Sequence, residues 1–300
     1  MNVLVTGCNG MLGREFYASL RDKGFEVFGI DNNIKAYWPS TWRKGDITNQ
    51  EEMRQIFEAF KPDIVVHCAA WTDVDACEKD KDKAQKVNIQ GTAVLATLAK
   101  ETNALICYMS TDYVFDGEKA GSYVEHDLPN PINFYAETKF QSEEAVKRSG
   151  ASYIILRTSW LFGGDSECRN FVNAIIKQYN SGKDLHVVDD QKGRPTYTKD
   201  FARAVVRIIE FYKDKKNISE IFHIANDDAI SWFEFAKVII EKIGGDKSRV
   251  FPINSQKLDR TARRPKNSVL DTAKYENTFN DKLRSWRFCL DEFINNMCKA

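Results

Sequence analysis

No stretch of the 300-residue sequence approaches the roughly 18 consecutive apolar residues of a membrane-spanning helix, which excludes a helical span. Nor is there an excess of charge of either sign: 43 Lys and Arg stand against 43 Asp and Glu, for a formal net charge of zero. Without a global field there is nothing to recruit nucleic acid or an acidic membrane face, and neither is expected as a partner. Proline, at 7 residues, and glycine, at 16, are both scarce. With 43 % hydrophobic residues, that composition excludes a disordered chain and allows a sizeable core. The cysteines, at positions 8, 68, 77, 107, 168, 289 and 298, are odd in number and contain no C-x-x-C pair. They form neither a disulfide framework nor a zinc cage, so reduced thiols are expected. The histidines, at 67, 126, 186 and 223, show no paired ligand spacing either. No basic or apolar leader precedes the first strand-like residues, and a cytoplasmic location is expected.

What is present alternates. Residues 3–6, 26–30, 64–69, 105–110 and 153–158 are short, strand-like runs. Residues 12–23, 49–60, 84–102 and 134–149 read as amphipathic helices, with Thr48 and Asn133 as N-caps. Strands alternating with helices indicate βαβ units, and so an α/β protein on a doubly wound parallel sheet spanning residues 1–165. Beyond that the order loosens, into helix 170–181, strand 185–188, helix 199–213, strand 221–225 and helix 232–243. No linker or repeat separates the portions. The chain is therefore expected to return to the first domain around 185–228, leaving 166–184 and 229–300 as a smaller substrate-binding region. The mixed charges of 78–86 read as a solvated helix start rather than a binding patch.

Gly7-Cys8-Asn9-Gly10-Met11-Leu12-Gly13 follows the first strand and opens the first helix. Its G-x-x-G-x-x-G spacing meets the needs of a dinucleotide site: a tight turn, close backbone approach to a diphosphate, and a helix N-terminus aimed at it. Gly7, Asn9, Gly10, Met11, Leu12 and Gly13 are therefore cofactor-binding candidates in a Rossmann-type domain. Asp31 ends the second strand near the roughly 20-residue offset at which a carboxylate holds the ribose 2′-OH. That favours NADH over NADPH, although Lys35 softens the discrimination. Asp46 and Ile47 precede a helix, where an acidic side chain suits an adenine amino group or simply a turn.

Tyr135 and Lys139 lie one helical turn apart, so a phenol and an ammonium share a face. A free Tyr has a pKa of about 10, and a neighbouring cation is expected to lower it towards the working range. Thr111, at the end of a strand, is placed to donate to a carbonyl oxygen that becomes an alkoxide. Together the three suit proton exchange with a ketone or alcohol during hydride transfer.

These residues resemble the extended short-chain dehydrogenases/reductases: the glycine loop, Asp46-Ile47, Ala69-Ala70, Asn88 with Gly91-Thr92, and Tyr135 with Lys139. More narrowly, the chain resembles the dTDP-4-dehydrorhamnose reductase family over essentially its whole length. Four blocks carry that likeness: residues 110–117, 157–160, 190–196 and 264–268. The resemblance implies NAD(P)H-dependent reduction of a nucleotide-activated 4-keto-6-deoxy sugar for surface polysaccharide. It also implies Ala69 and Ala70 at the cofactor, and substrate contacts from Thr72, Thr111, Asp112, Tyr135, Trp160 and Arg194. Some members are described as using Mg²⁺ with a glutamate early in the first helix. Glu15 matches that place, yet one carboxylate cannot specify a metal. Dimerisation is common in the superfamily and leaves a homodimer open. Dehydratases of the superfamily carry an acidic pair after the strand-end Thr, whereas here Asp112 is followed by Tyr113. The remaining alternatives are another nucleotide-sugar epimerase or reductase, and a non-catalytic regulatory subunit on this fold.

Overall fold

The computed structural model of the protein describes residues 1–33 and 41–297. Its centre is a seven-stranded parallel sheet: β1 (Asn2–Thr6), β2 (Glu26–Asp31), β3 (Trp42–Lys44), β4 (Ile64–His67), β5 (Leu105–Thr111), β6 (Ser152–Thr158) and the strand Ser219–His223. Successive side chains of a strand point to opposite faces, so Val3 and Val5 of β1 enter one core and Leu4 the other. In space the order is Ser219–His223, β6, β5, β4, β1, β2, β3. The chain thus runs outward from β1 to β3, crosses back to β4 and proceeds the other way. A crevice opens outside the C-terminal ends of β1 and β4, where the order reverses.

Helix α1 (Met11–Asp22) and the helix Thr198–Tyr212 cover one face and pack on each other, with Phe16 and Phe201 meeting edge to face at 6.0 Å. Burying each of those rings contributes about 1.5–3 kcal/mol. The other face is covered by α2 (Gln50–Phe60), α5 (Gly91–Thr102) and α6 (Phe134–Arg148). Between α2 and α5 lie two short helices, α3 (Val74–Lys79) and α4 (Lys81–Ala84). A separate core around Phe162, Phe235, Trp286 and Phe293 holds the smaller region together.

The expected elements are present, with differences that have local causes. Strand 64–69 stops at His67, because Thr6 closes β1 opposite it: Cys68 N donates to the Thr6 carbonyl (3.2 Å) and Ala69 N to the Thr6 hydroxyl (3.3 Å). Helix 84–102 begins as a π-helical turn over Gln85–Gln90. Asn88 accounts for that turn: its carbonyl accepts from Thr92 (2.5 Å) and Ser142 (2.8 Å), while its amide clasps Trp71 N (2.8 Å) and O (3.1 Å). Of the expected return at 185–228, the helix Thr198–Tyr212 and the strand Ser219–His223 join the sheet domain. Leu185–Val188 instead pairs with Val250–Ile253, outside the central sheet.

Asn133 caps α6, accepting from Ala136 N at 2.8 Å. Thr48, by contrast, is not the cap of α2. Asn49 is, accepting from Glu52 N at 3.2 Å, while Thr48 N–H and O–H both donate to Asp46 at 2.9 Å in the preceding turn. Urea denaturation should therefore separate the two residues. Asn49→Ala is expected to cost about 1 kcal/mol of stability, and Thr48→Ala less than about 0.5 kcal/mol; the reverse order would restore Thr48 as the cap.

Candidate active site

The crevice outside β1 and β4 holds two adjoining cavities, of ≈ 470 and ≈ 730 Å³, which share Gly7, Asn9, Gly10, Asn33, Cys68 and Ala70 as a common wall. The glycine loop shapes both. Gly7 sits at φ +68°, and a Cβ there would lie 2.8 Å from Ala69 N. A Cβ at Gly13 would collide with the Gly7 carbonyl, so α1 presses directly on the loop. Gly7 N donates to the Ile30 carbonyl (2.7 Å) and Gly10 N to the Gly7 carbonyl (3.0 Å), which completes the turn. Gly10 offers no side-chain cap, and the N–H groups of Met11, Leu12 and Gly13, in the first turn of α1, have no intrahelical acceptor. This end of α1 is an anion site by construction.

Asp31 is fixed in the smaller cavity by two backbone donors, Asn9 N (2.9 Å) and Asn33 N (2.8 Å). Lys35 lies outside the described residues. Asp46, Ile47, Ala69 and Ala70 line the same cavity, although one Asp46 oxygen also serves the turn before α2. Two lysines from the charged stretch read as solvated, Lys83 and Lys86, also line this cavity. They remain exposed at the mouth, so they are both solvated and part of the wall. Asn9 is 7 % exposed, and its Oδ1 has no hydrogen-bond partner among the described residues. An orphaned buried acceptor beside a backbone cradle that no Cβ can share fits a dinucleotide.

The larger cavity brings Thr111, Asp112, Tyr113, Tyr135 and Lys139 to the glycine loop. Thr111 ends β5, donating to Asp112 Oδ1 (3.1 Å) and accepting from Tyr113 N (3.2 Å). Tyr135 and Lys139 come from the first two turns of α6, whose start is anchored by Glu78 accepting from Phe134 N (2.7 Å). The Lys139 amine lies 4.2 Å from the centre of the Tyr108 ring. Burial pulls it down to about 7, against the opposing charge of Glu143. Burial, then the nearby Asp112, push the Tyr135 phenol up, with Thr111 acting the other way. The cation one turn away therefore does not hold this phenol near neutrality, contrary to the expectation from spacing: the burial that surrounds both groups weakens the charge of one and disfavours the anion of the other. Asp112 is itself pushed up to about 7 by burial, against hydrogen bonds from Ser268 and Thr111.

Thr72 and Trp160 also line the larger cavity. Trp160 stacks on Trp232 at 3.4 Å and has φ +46°, a left-handed conformation that costs a bulky residue about 1–3 kcal/mol. Gly193 makes room for it, since a Cβ there would meet the indole. Trp232 escaped the sequence analysis, as did Arg169 at the rim, whose guanidinium reaches Asp73 at 3.2 Å. An aromatic at the start of a helix carries no signal of its own. Arg194 lines neither cavity: it pairs with Asp227 (2.7 Å) and donates to the Leu270 carbonyl (2.9 Å) and Thr272 (3.1 Å). Glu15 lines neither as well. Burial pushes its carboxyl up, and Lys199 and Arg14 lie near it. Among the described residues no three His, Cys, Asp or Glu side chains gather where they could hold a cation.

Comparison with known proteins adds to this geometry. The family described as RmlD substrate binding domain matches residues 1–299. The spore coat polysaccharide biosynthesis protein SpsK of Bacillus subtilis is 34 % identical over 99 % of this chain and 98 % of its own. A dTDP-4-dehydrorhamnose reductase from Clostridium acetobutylicum superimposes with a TM-score of 0.88 at 38 % identity, covering 99 % of this chain and 100 % of that one. The dTDP-4-dehydrorhamnose reductase of Bacillus anthracis, solved in complex with NADP, gives 0.88 at 31 % identity, over 98 % and 99 %. With the match running over residues 1–299, the chain belongs to the RmlD substrate binding domain family.

Proposed function

We propose that the protein is an NAD(P)H-dependent oxidoreductase that reduces the C4 ketone of a dTDP-activated 6-deoxy-4-keto sugar, dTDP-4-dehydro-L-rhamnose, to dTDP-L-rhamnose. One observation carries the reading: the glycine loop and the trio Thr111, Tyr135 and Lys139 line a single cavity. The Clostridium and Bacillus anthracis reductases support the choice of sugar and nucleotide.

The reduced nicotinamide, when bound, supplies the hydride. The chain's own residues divide the remaining work. Residues 7–13 and the N-terminus of α1 hold the diphosphate, and Asp31 accepts from the adenosine ribose. Lys139 would donate to the nicotinamide ribose, and the Thr111 hydroxyl, turning its one proton from Asp112 to the ketone oxygen, would orient it and stabilise the charge that develops there. As C4 gains hydrogen, the electron pair of the C=O π bond moves to oxygen, and Tyr135 gives that oxygen its phenolic proton. A phenol pushed up by burial still serves, because the alkoxide it protonates is the stronger base. Solvent then returns a proton to the phenolate. The anchored charge of Asp31 disfavours a 2′-phosphate and so favours NADH, while Lys83 and Lys86 in the same cavity wall supply cations that admit NADPH.

Tyr135→Phe should bind NADH within about twofold of the wild type and lose about 10²–10⁴ in kcat, measured by fluorescence titration and steady-state assay; an unchanged kcat would remove Tyr135 from the chemistry. A panel of dTDP-, UDP-, GDP- and CDP-4-keto-6-deoxy sugars should give fastest NADH oxidation with the dTDP compound and one NADH consumed per sugar. Product formation without net NADH consumption would mark an epimerase instead.

A further inference from the structure

We propose that Glu143 is a positioning residue for this reaction, one buried carboxylate that ties together three elements of the active site and sets a fixed negative charge one turn from Lys139. The inference rests on the reading above, in which Thr111, Tyr135 and Lys139 act together. Glu143 lies on α6, one turn beyond Lys139, and its side chain is completely buried. Its Oε1 accepts from Ser110, the residue before Thr111 on β5, at 2.5 Å. The same oxygen accepts from Arg157 Nε (2.9 Å), and Oε2 from Arg157 Nη2 (2.7 Å), on β6 next to Thr158. One carboxylate therefore joins the helix of Tyr135 and Lys139 to the ends of two adjacent strands.

The arginine is held from behind. Its Nη1 lies 3.4 Å from both the Glu125 carbonyl and His223 Nε2, and the Phe115 ring stacks 5.1 Å from the guanidinium carbon. His223 Nδ1 lies 3.0 Å from the Tyr123 carbonyl, and burial, then Arg157, lower this histidine to about 3. It stays neutral, donates from Nδ1, and is left with Nε2 as the acceptor that faces the guanidinium. The bidentate geometry is thus braced on both sides.

Stability alone does not account for such a pair, since replacing a buried ion pair by well-packed apolar residues is often neutral or stabilising. What an apolar replacement cannot supply is the charge. The groups that face Lys139 from the elements packed against it are the Tyr108 ring on β5 and His67 with Cys68 at the end of β4. Burial holds His67 down to about 3 and pushes Tyr108 and Cys68 up, so those three are neutral at physiological pH. Glu143 is left as the carboxylate that favours the ammonium. Burial lowers the Lys139 ammonium and Glu143 holds it up, so loss of Glu143 lowers it further and the amine gives up its charge at lower pH.

Two variants test this, Glu143→Gln and the paired replacement Glu143→Leu with Arg157→Met. The dissociation constant for NADH and kcat are measured against pH, alongside the thermal midpoint. In both variants the alkaline fall in cofactor affinity and in kcat should move to lower pH by about one unit or more, so that at mildly alkaline pH each is reduced about tenfold. At mildly acidic pH NADH binding should approach that of the wild type. The paired variant keeps a fully apolar filling, and decides the matter alone should Glu143→Gln fail to fold. Profiles that superimpose on the wild type would overturn the proposal, as would a lower thermal midpoint with unmoved pH profiles, which is the mark of packing only. Should the wild type reduce no nucleotide sugar, the reading of the reaction fails, while the pH dependence of NADH binding still judges Glu143.

Discussion

The contact of two backbones, Gly13 against the Gly7 carbonyl, is the constraint from which the geometry of the site follows. A methyl group at either glycine would strike backbone, at Gly7 the amide of Ala69 on the neighbouring strand end. Three segments, the end of β1, the start of α1 and the end of β4, therefore meet without side chains between them. The crevice stays open for a ligand, and the unpaired amides of α1 face it. Parallel strands are spaced about 4.8 Å apart, so β5, two strands from β1, places Thr111 about 10 Å from the loop. That separation suits a ligand whose diphosphate lies at one end and whose reactive ring lies at the other. Helix α6, packed across β5, then brings Tyr135 and Lys139 to the same point.

Much of this was legible in the sequence, and the reasons are particular. A parallel strand buried on both faces reads as an uninterrupted apolar run, and residues 64–66 and 105–107 show it. The glycine loop was legible because its function depends on an absent side chain, which a sequence records directly. Strand β3 was not, because Trp42–Lys44 is a short, largely exposed edge with two basic residues. The π-helical turn was hidden for another reason: it arises from Asn88 clasping Trp71, a tertiary contact that no local period encodes. Arg194 and Trp232 fail in opposite directions. A guanidinium suggests an anion, yet Arg194 found its carboxylate within the protein, whereas Trp232 acquires its place only when the smaller region folds back on Trp160.

The electrostatics of the trio were the least legible part. Spacing alone predicts what one charge does to a neighbour in a medium of unspecified polarity, and here the medium dominates. Around Tyr135, burial and Asp112 both oppose the phenolate. Around Lys139, burial opposes the ammonium and Glu143 is the carboxylate that favours it. The site is therefore biased towards a neutral acid and a weakly held cation.

That bias suits reduction better than oxidation. A reductase needs its proton on the donor at the moment hydride reaches carbon, and a phenol in a setting hostile to its anion is always loaded. Once the proton has gone, the phenolate is an anion in that same setting, which drives it to take a proton back before the next turnover. A permanently strong cation would stabilise the phenolate throughout and leave part of the enzyme without its proton. Burial weakens the Lys139 ammonium, and Glu143 is the carboxylate that supports it. Both shifts are set first by burial, and the ion pair that joins Glu143 of α6 to Arg157 of β6 is likewise shielded from solvent and acts at low dielectric.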